Sequence, residues 1–417
     1  MTAASRAPAP QAPGPYDTPE RRALRTLVAE FTAREIAPHL SAWEQVGELP
    51  RDLHRKAAAA GILGIGFPEG VGGSGGDLID VVVMTEALLE AGGSGGVVAG
   101  LFSHGIALPH VVDEADRRRE RGDRAGADDL VERIIAPVLR GDAIASLAVT
   151  EPDGGSDVAH LRTRAARVEN GWQVSGAKVY ITSGVRADVV VAAVRTGTPE
   201  EAAAGISLVL LDPRAQGYAA PRALEKMGWW CSDTAELSFD GVHVPERDVL
   251  GEGMGFASLA RHFVSERISI AVTAYSTAQR ALDLTVDWAR KRETFGRPLV
   301  SRQVVRHALV EMARQVDVAR VYTRDVARRY AEGADVVLPA VQAKKTAVAA
   351  CEYVVDRAVQ FHGGMGYMRE SEVERHYRDA RVLGIGGGAT EVMDDLAARL
   401  LGYEPVRGGG QPVRVTT

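Results

Sequence analysis

The chain has 417 residues, enough for two or three domains, and its 46% hydrophobic content supplies ample apolar material for a large core. The net charge is −6 and Lys and Arg are spread along the chain, which argues against nucleic-acid binding. Two isolated cysteines exclude a disulfide framework and favour a reducing compartment, and we expect no membrane span because no apolar run reaches the length of a bilayer.

The first segment, residues 1–19, is rich in Pro and Ala, and we predict a flexible leader there. It lacks the basic and apolar regions of a secretory signal. Arg6 is the one basic residue before Arg21, which disfavours a mitochondrial transit peptide. The Ala- and Arg-rich composition favours a bacterial cytoplasmic protein.

Residues 20–145 have the spacing of a helical domain. Near its start, apolar residues recur on one helical face at Leu24, Leu27, Val28 and Phe31. Glycine-rich breaks at 70–76 and 92–96 divide the helices. The segment Asp113–Asp129 contains seven acids and five arginines. We predict a solvated surface insertion there rather than a basic docking patch, because the acids outnumber the bases.

The pattern changes to short runs rich in β-branched residues between residues 146 and 255. These runs are Trp172–Val174, Lys178–Thr182, Val189–Val194, Ile206–Leu211 and Ala235–Phe239. Gly, Pro, Asn or Asp residues lie between most of them, as expected for turns. We predict a compact, barrel-like β domain.

Helical spacing returns at residue 256 and continues to 403, before a tail at 404–417. Three apolar stripes have helical periodicity: Ile268, Ala271, Tyr275, Ala278 and Leu282; Leu309, Met312, Val316, Ala319 and Val326; Val348, Cys351, Val355 and Ala358. Long helices with short connections favour a four-helix bundle. The predicted fold class is therefore α+β, with an N-terminal helical domain, a β-barrel-like middle domain and a C-terminal four-helix bundle.

Four segments combine glycine or aromatic residues with polar or basic ones, and each has an ordinary structural explanation. Thr150–Asp157 is by itself a tight turn, although its glycines allow a ligand to approach the backbone. Lys178–Gly184 is by itself a strand that ends in a turn. Arg290–Arg297 is by itself a basic helix end favoured by the helix dipole. His362, within Val359–Met368, is by itself a helix cap.

In this order and spacing the segments resemble the acyl-CoA dehydrogenase family, from about Leu49 to Leu400. The matching motifs are TEPxxGSD at Thr150–Asp157, K-x-W-I-T-N-G at Lys178–Gly184 with Tyr180 in place of Trp, R-x-x-F-G at Arg292–Gly296, and the glycine turn at Val359–Met368. The resemblance implies the acyl-CoA dehydrogenase fold, FAD as the cofactor, and a homotetramer built as a dimer of dimers.

The resemblance also assigns binding residues by position. Contacts with FAD fall to Leu147, Val149, Thr150, Ser156, Tyr180, Ile181, Thr182, Arg292, Phe295, Gln303, Gln360, Phe361, Gly363, Gly364, Thr390 and Glu391. Contacts with the acyl-CoA fall to Ser156, Val264, Arg267, Gly387 and Gly388. Arg292 is expected at the pyrophosphate, because a guanidinium fits a diphosphate through forked hydrogen bonds. Gln360–Gly364 is expected at the adenine half of an FAD held mainly by a neighbouring subunit.

The catalytic base needs a separate argument, because the position that carries it in much of the family is Gly387 here. Either the chemistry is lost or the base lies elsewhere. Some members, including isovaleryl and long-chain enzymes, place a glutamate just before an Arg at the start of the first long C-terminal helix. Glu266 precedes Arg267 and lies 121 residues earlier (387 minus 266). By itself Glu266 is expected to be an acid in the first turn of a helix, stabilised by the dipole. A carboxylate at one position and glycine at the other favours Glu266 as the base.

The expected reaction is α,β-dehydrogenation of an acyl-CoA to the trans-2-enoyl-CoA. Glu266 would remove the α-proton, FAD N5 would take the β-hydride, and the Gly387 N–H would bind the thioester carbonyl. An electron-transfer flavoprotein is the expected electron acceptor, and no metal is expected. The alternatives are a flavin monooxygenase or acyl-CoA oxidase on the same fold, and a non-catalytic protein that binds acyl thioesters.

Overall fold

The computed structural model describes residues 14–403, in the predicted order of a helical, a β and a second helical domain. The N-terminal helices are α1 (Pro19–Phe31), α2 (Leu40–Val46), α3 (Arg51–Ala59), α4 (Leu78–Glu90), α5 (Gly95–Leu101), α6 (His104–Glu120), α7 (Arg124–Leu130) and α8 (Ala136–Leu139). The local sequence explains where α1 begins. The Thr18 hydroxyl accepts from the Arg21 N–H, and Pro19 fits the first helical turn.

The described end of the predicted leader is packed against the C-terminal domain. The Tyr16 hydroxyl donates to the Arg324 carbonyl at 2.6 Å, and the Arg324 guanidinium lies 4.8 Å from the Tyr16 ring centroid. Residues 1–13 and 404–417, which hold the rest of the predicted leader and the tail, lie outside the described residues.

The predicted solvated insertion at Asp113–Asp129 is helical, and part of it is exposed whereas part of it is packed into the domain. The segment forms the end of α6 and most of α7, and Ala115 and Ala127 are fully buried. Glu114 is 2% exposed and forms ion pairs with Arg117, Arg118 and Arg121. The charges pair with one another along the helix, so part of the segment packs into the domain although its composition is that of a surface.

The middle domain is one seven-stranded sheet, formed by β1 (Ala145–Ala148), β2 (Arg164–Val168), β3 (Gly171–Thr182), β4 (Val189–Arg195), β5 (Ile206–Leu211), β6 (Tyr218–Ala223) and β7 (Thr234–Pro245). The strand order is β1–β4–β2–β3–β7–β6, with β5 paired to β4. β1 runs parallel to β4, whereas the long pairs β3–β7 and β4–β5 are antiparallel.

Strand β3 joins two of the predicted runs. Its pairing with β7 is interrupted between Lys178 and Ile181, and Tyr180 within the interruption has a φ of +62°. A bulge of this kind re-aims a side chain, and Tyr180 is 70% exposed. The irregularity therefore presents an aromatic ring at the surface of the β domain.

The C-terminal domain consists of α9 (Gly255–Lys291), a hairpin of β8 (Glu293–Thr294) and β9 (Arg297–Pro298), then α10 (Gln303–Ala331), α11 (Val337–His362), α12 (Glu372–Ala380) and α13 (Thr390–Leu400). All three predicted apolar stripes are buried, and they pack α9, α10 and α11 around one core. The short α12 adds to this core through Val373 and Ala380. The predicted fold class is confirmed.

One stretch corrects the expectation about apolar runs. Gly95–Glu120, which includes α5 and α6, contains an 18-residue window of mean hydropathy 1.4, so it is long and apolar enough to cross a membrane. Of that window, 61% is buried inside the protein. Its apolar residues therefore serve the core of the N-terminal domain.

Candidate active site

Glu266 and Gly387 meet at one point of the C-terminal domain. Glu266 lies on α9, and Gly387 lies in the loop before α13. The expectation that Glu266 lies in the first turn of its helix is wrong, because α9 begins at Gly255, 11 residues earlier (266 minus 255). A β-carbon on Gly387 would stand 3.4 Å from Glu266 Oε1 and 3.7 Å from Lys344 Nζ. It would also stand 2.3 Å from Ile270 Cδ1, closer than real β-carbons come to a neighbour. The space that a side chain at 387 would use is therefore occupied by the surroundings of Glu266.

The environment of Glu266 suits a proton acceptor. Glu266 is partly exposed, and the protein around its carboxyl raises the pKa of that group by desolvation, a rise that the positive charges of Arg267 and Lys344 oppose. A carboxylate in a water-poor site holds a proton more readily than one at the surface. General bases work best when their pKa lies closer to the working pH than an exposed carboxylate's does.

Lys344 is the residue of this site that sequence reasoning missed. It lies on α11, is 2% exposed, and donates from Nζ to the carbonyls of Gly386 and Gly388, both at 2.5 Å. The sequence held a signal, because Lys344 continues the stripe of Val348 and Cys351 by one more turn toward the N-terminus. A lysine is rarely fully buried unless its ammonium is paired, so a lysine in a buried stripe indicates hydrogen-bond acceptors nearby.

The loop Gly386–Gly388 depends on left-handed backbone. Gly387 has a φ of +63° and Gly388 a φ of +95°, which L-residues with side chains rarely adopt. Nearby, Thr390 Oγ1 donates to the Gly384 carbonyl at 3.3 Å, and Glu391 is exposed in the first turn of α13.

Of the two predicted acyl-CoA contacts on α9, Val264 is buried and Arg267 is partly exposed. Val264 is 7% exposed and packs in the C-terminal core. The Arg267 guanidinium lies 5.8 Å from the Phe263 ring centroid, and its Nε is buried without a hydrogen-bond partner. An unpaired buried donor on a guanidinium is suited to an acceptor supplied by a ligand.

In the middle domain, a buried ion pair fixes the turn Thr150–Asp157. Lys178 Nζ donates to Glu151 Oε1 and to the Val149 carbonyl, both at 2.9 Å. Glu151 also accepts from the backbone N–H groups of Arg162 and Thr163. Burial lowers the pKa of Lys178 to about 8, against the attraction of Glu151. The pair holds the turn against β3.

The other predicted flavin contacts of this domain fall into two classes. Tyr180 and Ser156 are exposed, and Leu147, Val149, Thr150 and Thr182 are partly exposed. Ile181 is 2% exposed and packs in the core of the sheet, so only its backbone remains available for a ligand.

A second group lies where α9 ends and α11 ends. Trp288 Nε1 donates to the Phe361 carbonyl at 3.0 Å, and the Trp288 ring stacks on His362 at 5.0 Å between centroids. Arg292, Phe295, Gln303, Gln360, Gly363 and Gly364 are exposed around them. His362 Nδ1 lies 2.7 Å from the Ala358 carbonyl, which supports the capping role predicted for it.

These residues fit FAD. Tyr180 and Phe295 are aromatic rings exposed by 70% and 98%, and the exposed Arg292 offers a guanidinium. A β-carbon on Gly363 or Gly364 would meet no heavy atom within 4 Å, so a ligand can approach this turn. Within residues 14–403 no hydrogen bond or ring contact links the Tyr180 group to the Arg292 group, and no group of three His, Cys, Asp or Glu could hold a metal ion.

Three family models match the chain in sequence order. They are the acyl-CoA dehydrogenase N-terminal domain at residues 18–118, the middle domain at 146–242 and the C-terminal domain at 253–402. The mitochondrial long-chain specific acyl-CoA dehydrogenase of Mus musculus is 34% identical over 91% of this chain and 86% of its own length.

Solved structures agree with these matches. A probable acyl-CoA dehydrogenase from Mycobacterium abscessus is 57% identical with a TM-score of 0.89, covering 93% of this chain and 100% of its own. Butyryl-CoA dehydrogenase from Megasphaera elsdenii is 29% identical with a TM-score of 0.82, covering 92% of this chain and 98% of its own.

Proposed function

This chain belongs to the acyl-CoA dehydrogenase family, and on that premise we propose that it oxidises an acyl-CoA to the trans-2-enoyl-CoA with Glu266 as the base. The family's members are FAD-dependent flavoproteins that include fatty-acid dehydrogenases, so the protein is a flavoprotein enzyme acting on acyl-CoA. The observation that supports Glu266 is its carboxylate oxygen, 3.4 Å from the point where a side chain at Gly387 would begin.

In the proposed reaction, Glu266 accepts the α-proton of the thioester as its C–H bond breaks. The Gly387 N–H binds the thioester carbonyl and stabilises the enolate-like charge on its oxygen, as an oxyanion hole does. FAD supplies the acceptor for the β-hydride when it is bound. Desolvation then favours the protonated carboxyl of Glu266, which returns its proton to solvent after the product leaves.

We propose two sets of residues for holding FAD. Tyr180, Thr182 and the Thr150–Asp157 turn hold the flavin ring. Arg292 and Phe295, with the Gln360–Gly364 turn, hold the pyrophosphate and adenine of an FAD whose ring lies mainly in a neighbouring subunit. We propose that each FAD is shared between two subunits of a homotetramer, as the family resemblance implies.

The substrate and acceptor follow from the family more than from the geometry. We propose an acyl chain handled by the long-chain or branched-chain enzymes, electron transfer to an electron-transfer flavoprotein, and a cytoplasmic location. A carboxylate with a raised pKa beside the carbonyl-binding loop supports an enzyme over a passive binder of acyl thioesters.

The test is anaerobic titration of the FAD-loaded protein with acyl-CoAs of graded length and branching, followed by flavin absorbance. The wild type should bleach. Glu266→Gln should bind FAD and acyl-CoA but bleach at least about 100-fold more slowly, because a positioned base contributes roughly 10²–10⁴-fold. Glu30→Gln is the control for a Glu-to-Gln change, because Glu30 is exposed on α1.

Bleaching of Glu266→Gln at the wild-type rate would show that the base lies elsewhere. Rapid reoxidation of the reduced wild-type enzyme by air would favour an oxidase. Binding of acyl-CoA without bleaching in the wild type would favour a non-catalytic protein.

A further inference from the structure

Lys344 holds both carbonyls that flank Gly387. Its Nζ donates to Gly386 O and Gly388 O at 2.5 Å each, from a side chain that is almost fully buried in α11. The two left-handed glycines, Gly387 and Gly388, allow both carbonyls to converge on one ammonium. A buried ammonium is costly unless its hydrogen bonds are satisfied, so this arrangement is built around the loop.

The bond to Gly386 O sets the direction of the Gly387 N–H. The carbonyl of Gly386 and the N–H of Gly387 belong to one peptide group, which is planar and trans. In such a group the C=O and the N–H point in opposite directions. Fixing the oxygen toward Lys344 therefore fixes the N–H away from Lys344.

The same bond strengthens that N–H as a donor. An ammonium that donates to the oxygen of an amide draws electron density from the nitrogen, and hydrogen bonds in series polarise one another by about 10–30% per bond. Negative charge that develops on an oxygen bound to the Gly387 N–H is then stabilised through this peptide by the Lys344 ammonium. A preorganised dipole of this kind needs no rearrangement during the reaction.

Lys344 also faces the proposed base. Its Nζ is 3.7 Å, and Glu266 Oε1 3.4 Å, from the same virtual β-carbon on Gly387. The charged groups that act on Glu266 are Arg267 from its own helix and Lys344 from α11. Burial lowers the pKa of Lys344 to about 8, with Glu266 opposing and Arg267 adding to that change.

We propose that Lys344 is a positioning residue for the dehydrogenation, which aims and polarises the Gly387 N–H at the thioester carbonyl while its charge favours the ionised form of Glu266. This inference rests on the proposed function and adds a third group to Glu266 and Gly387. Lys344 touches neither the substrate nor the reacting atoms and acts through the peptide between Gly386 and Gly387.

The test compares the FAD-loaded wild type with Lys344→Met, which keeps the length of the side chain and removes the charge. Lys344→Gln keeps N–H donors but has no charge, and Lys344→Arg keeps N–H donors and the positive charge. Lys345→Met is the matched control, since Lys345 is the next residue of α11 and pairs with Asp394 on α13. Thermal unfolding of each variant monitors the cost to the fold.

The decisive measurement uses an acyl-CoA analogue in which sulfur replaces the β-carbon, so that it binds but cannot be oxidised. The infrared stretch of its carbon-13-labelled thioester carbonyl reports how strongly the Gly387 N–H polarises it. The band should lie below its frequency in water for the wild type and Lys345→Met. It should move back toward the water value for Lys344→Met, and Lys344→Arg should restore part of the shift.

Kinetics give the second readout. The limiting rate of flavin reduction should fall about 10- to 100-fold in Lys344→Met, less than the roughly 10²–10³-fold loss of a direct oxyanion donor. The acyl-CoA concentration at half-saturation should stay within about three-fold. The acidic limb of the pH profile should move to higher pH in both Lys344→Met and Lys344→Gln, because one of the two cations opposing protonation of Glu266 is lost.

An unchanged carbonyl band and an unchanged acidic limb in Lys344→Met would overturn the proposal, even if the variant unfolds at a lower temperature. If Lys344→Met does not fold, the same two readouts in Lys344→Gln decide. Failure of the proposed function would look different. If Glu266→Gln bleached at the wild-type rate, Glu266 would not be the base. The carbonyl band would still report whether Lys344 directs the Gly387 N–H.

Discussion

Glu266 Oε1 lies 3.4 Å from the point that a β-carbon on Gly387 would occupy, although the two residues lie on α9 and in the loop before α13. Two carboxylates starting from these positions would share one small space, and like charges at such a distance cannot both ionise freely. The site therefore has room for one acid. This geometry gives a physical reason for the glycine where much of the family carries its base.

The first prediction concerns the lack of space at Gly387. Gly387→Ala should lower the unfolding temperature and slow flavin reduction, because the new β-carbon would lie 2.3 Å from Ile270 Cδ1. The left-handed backbone adds about 1–2 kcal/mol for a residue with a side chain. Thermal unfolding and stopped-flow reduction measure the two effects.

Ile270→Val in the same chain removes the clashing methyl group and should restore part of the stability of Gly387→Ala. Gly386→Ala is the matched control for stability, because its β-carbon would meet only the Val382 carbonyl, at 3.5 Å. Equal losses of stability in Gly387→Ala and Gly386→Ala would contradict the crowding argument.

The second prediction is that the proposed base destabilises the fold at neutral pH. The folded-state pKa of Glu266 is raised, so ionising it costs more in the folded than in the unfolded protein. The cost appears as the pH rises above the unfolded value of about 4.3. Glu266→Gln should therefore unfold at a higher temperature than the wild type near pH 7, with a difference that shrinks as the pH falls toward 4.

Thermal unfolding of both FAD-loaded proteins across this pH range measures the difference. A Glu266→Gln protein that is less stable than the wild type at pH 7 would contradict the prediction. The attraction of Arg267 and Lys344 for the ionised carboxylate would then exceed the cost of desolvating it. Active sites commonly trade stability for function in this way.

Local sequence pattern predicted the helical regions and the longer strands, because the apolar periods of helices such as α9, α10 and α11 are regular. Strands β2 and β6 escaped prediction because β2 buries only Ala165 and β6 buries no residue, so neither has an apolar alternation. Their place in the sheet comes from pairing with β3 and β7. Non-local pairing of this kind leaves little mark on a single sequence.

The candidate site shows the same division. The pair Glu266 and Gly387 could be predicted because the family resemblance supplied two alternative positions for one function. The burial of Lys344 could have been predicted from its place in an apolar stripe. Its role could not, because its hydrogen-bond partners are the Gly386 and Gly388 carbonyls, 42 and 44 positions later in the chain. The burial of Glu114 within the segment predicted to be solvated could not be predicted either, although its partners Arg117 and Arg118 lie on the same helix.

The third prediction concerns the buried pair Lys178–Glu151 behind the Thr150–Asp157 turn. Lys178→Met leaves Glu151 buried without its cation, and breaking a buried pair costs about 3–5 kcal/mol. The variant should lose stability and also release FAD more readily, because Lys178 ties the Val149 carbonyl in place. Denaturant unfolding and retention of FAD on gel filtration measure the two effects.

The exposed pair Arg162–Asp153 at the same turn provides the contrast. Its side chains are 78% and 71% exposed, and exposed pairs contribute about 0–1 kcal/mol. Arg162→Met should therefore change stability little. If Arg162→Met and Lys178→Met cost the same, burial is not the reason for the effect.

The fourth prediction tests the proposed pyrophosphate contact. Arg292 is exposed at the end of α9, with its guanidinium 6.0 Å from the Trp288 ring centroid and no carboxylate paired to it among the described residues. A guanidinium binds a diphosphate through two parallel hydrogen bonds, which an ammonium cannot reproduce. Arg292→Gln should raise the dissociation constant of FAD about ten-fold, equivalent to about 1.4 kcal/mol.

Arg292→Lys should give an intermediate constant, because it keeps the charge and loses the fork. Arg290→Gln is the matched control, since Arg290 is also exposed in the last turn of α9. Titration of the FAD-free protein with FAD, followed by flavin fluorescence, measures each constant. Tighter binding in Arg292→Gln than in Arg290→Gln would assign the phosphate contact to Arg290, because the two side chains differ in position and not in charge.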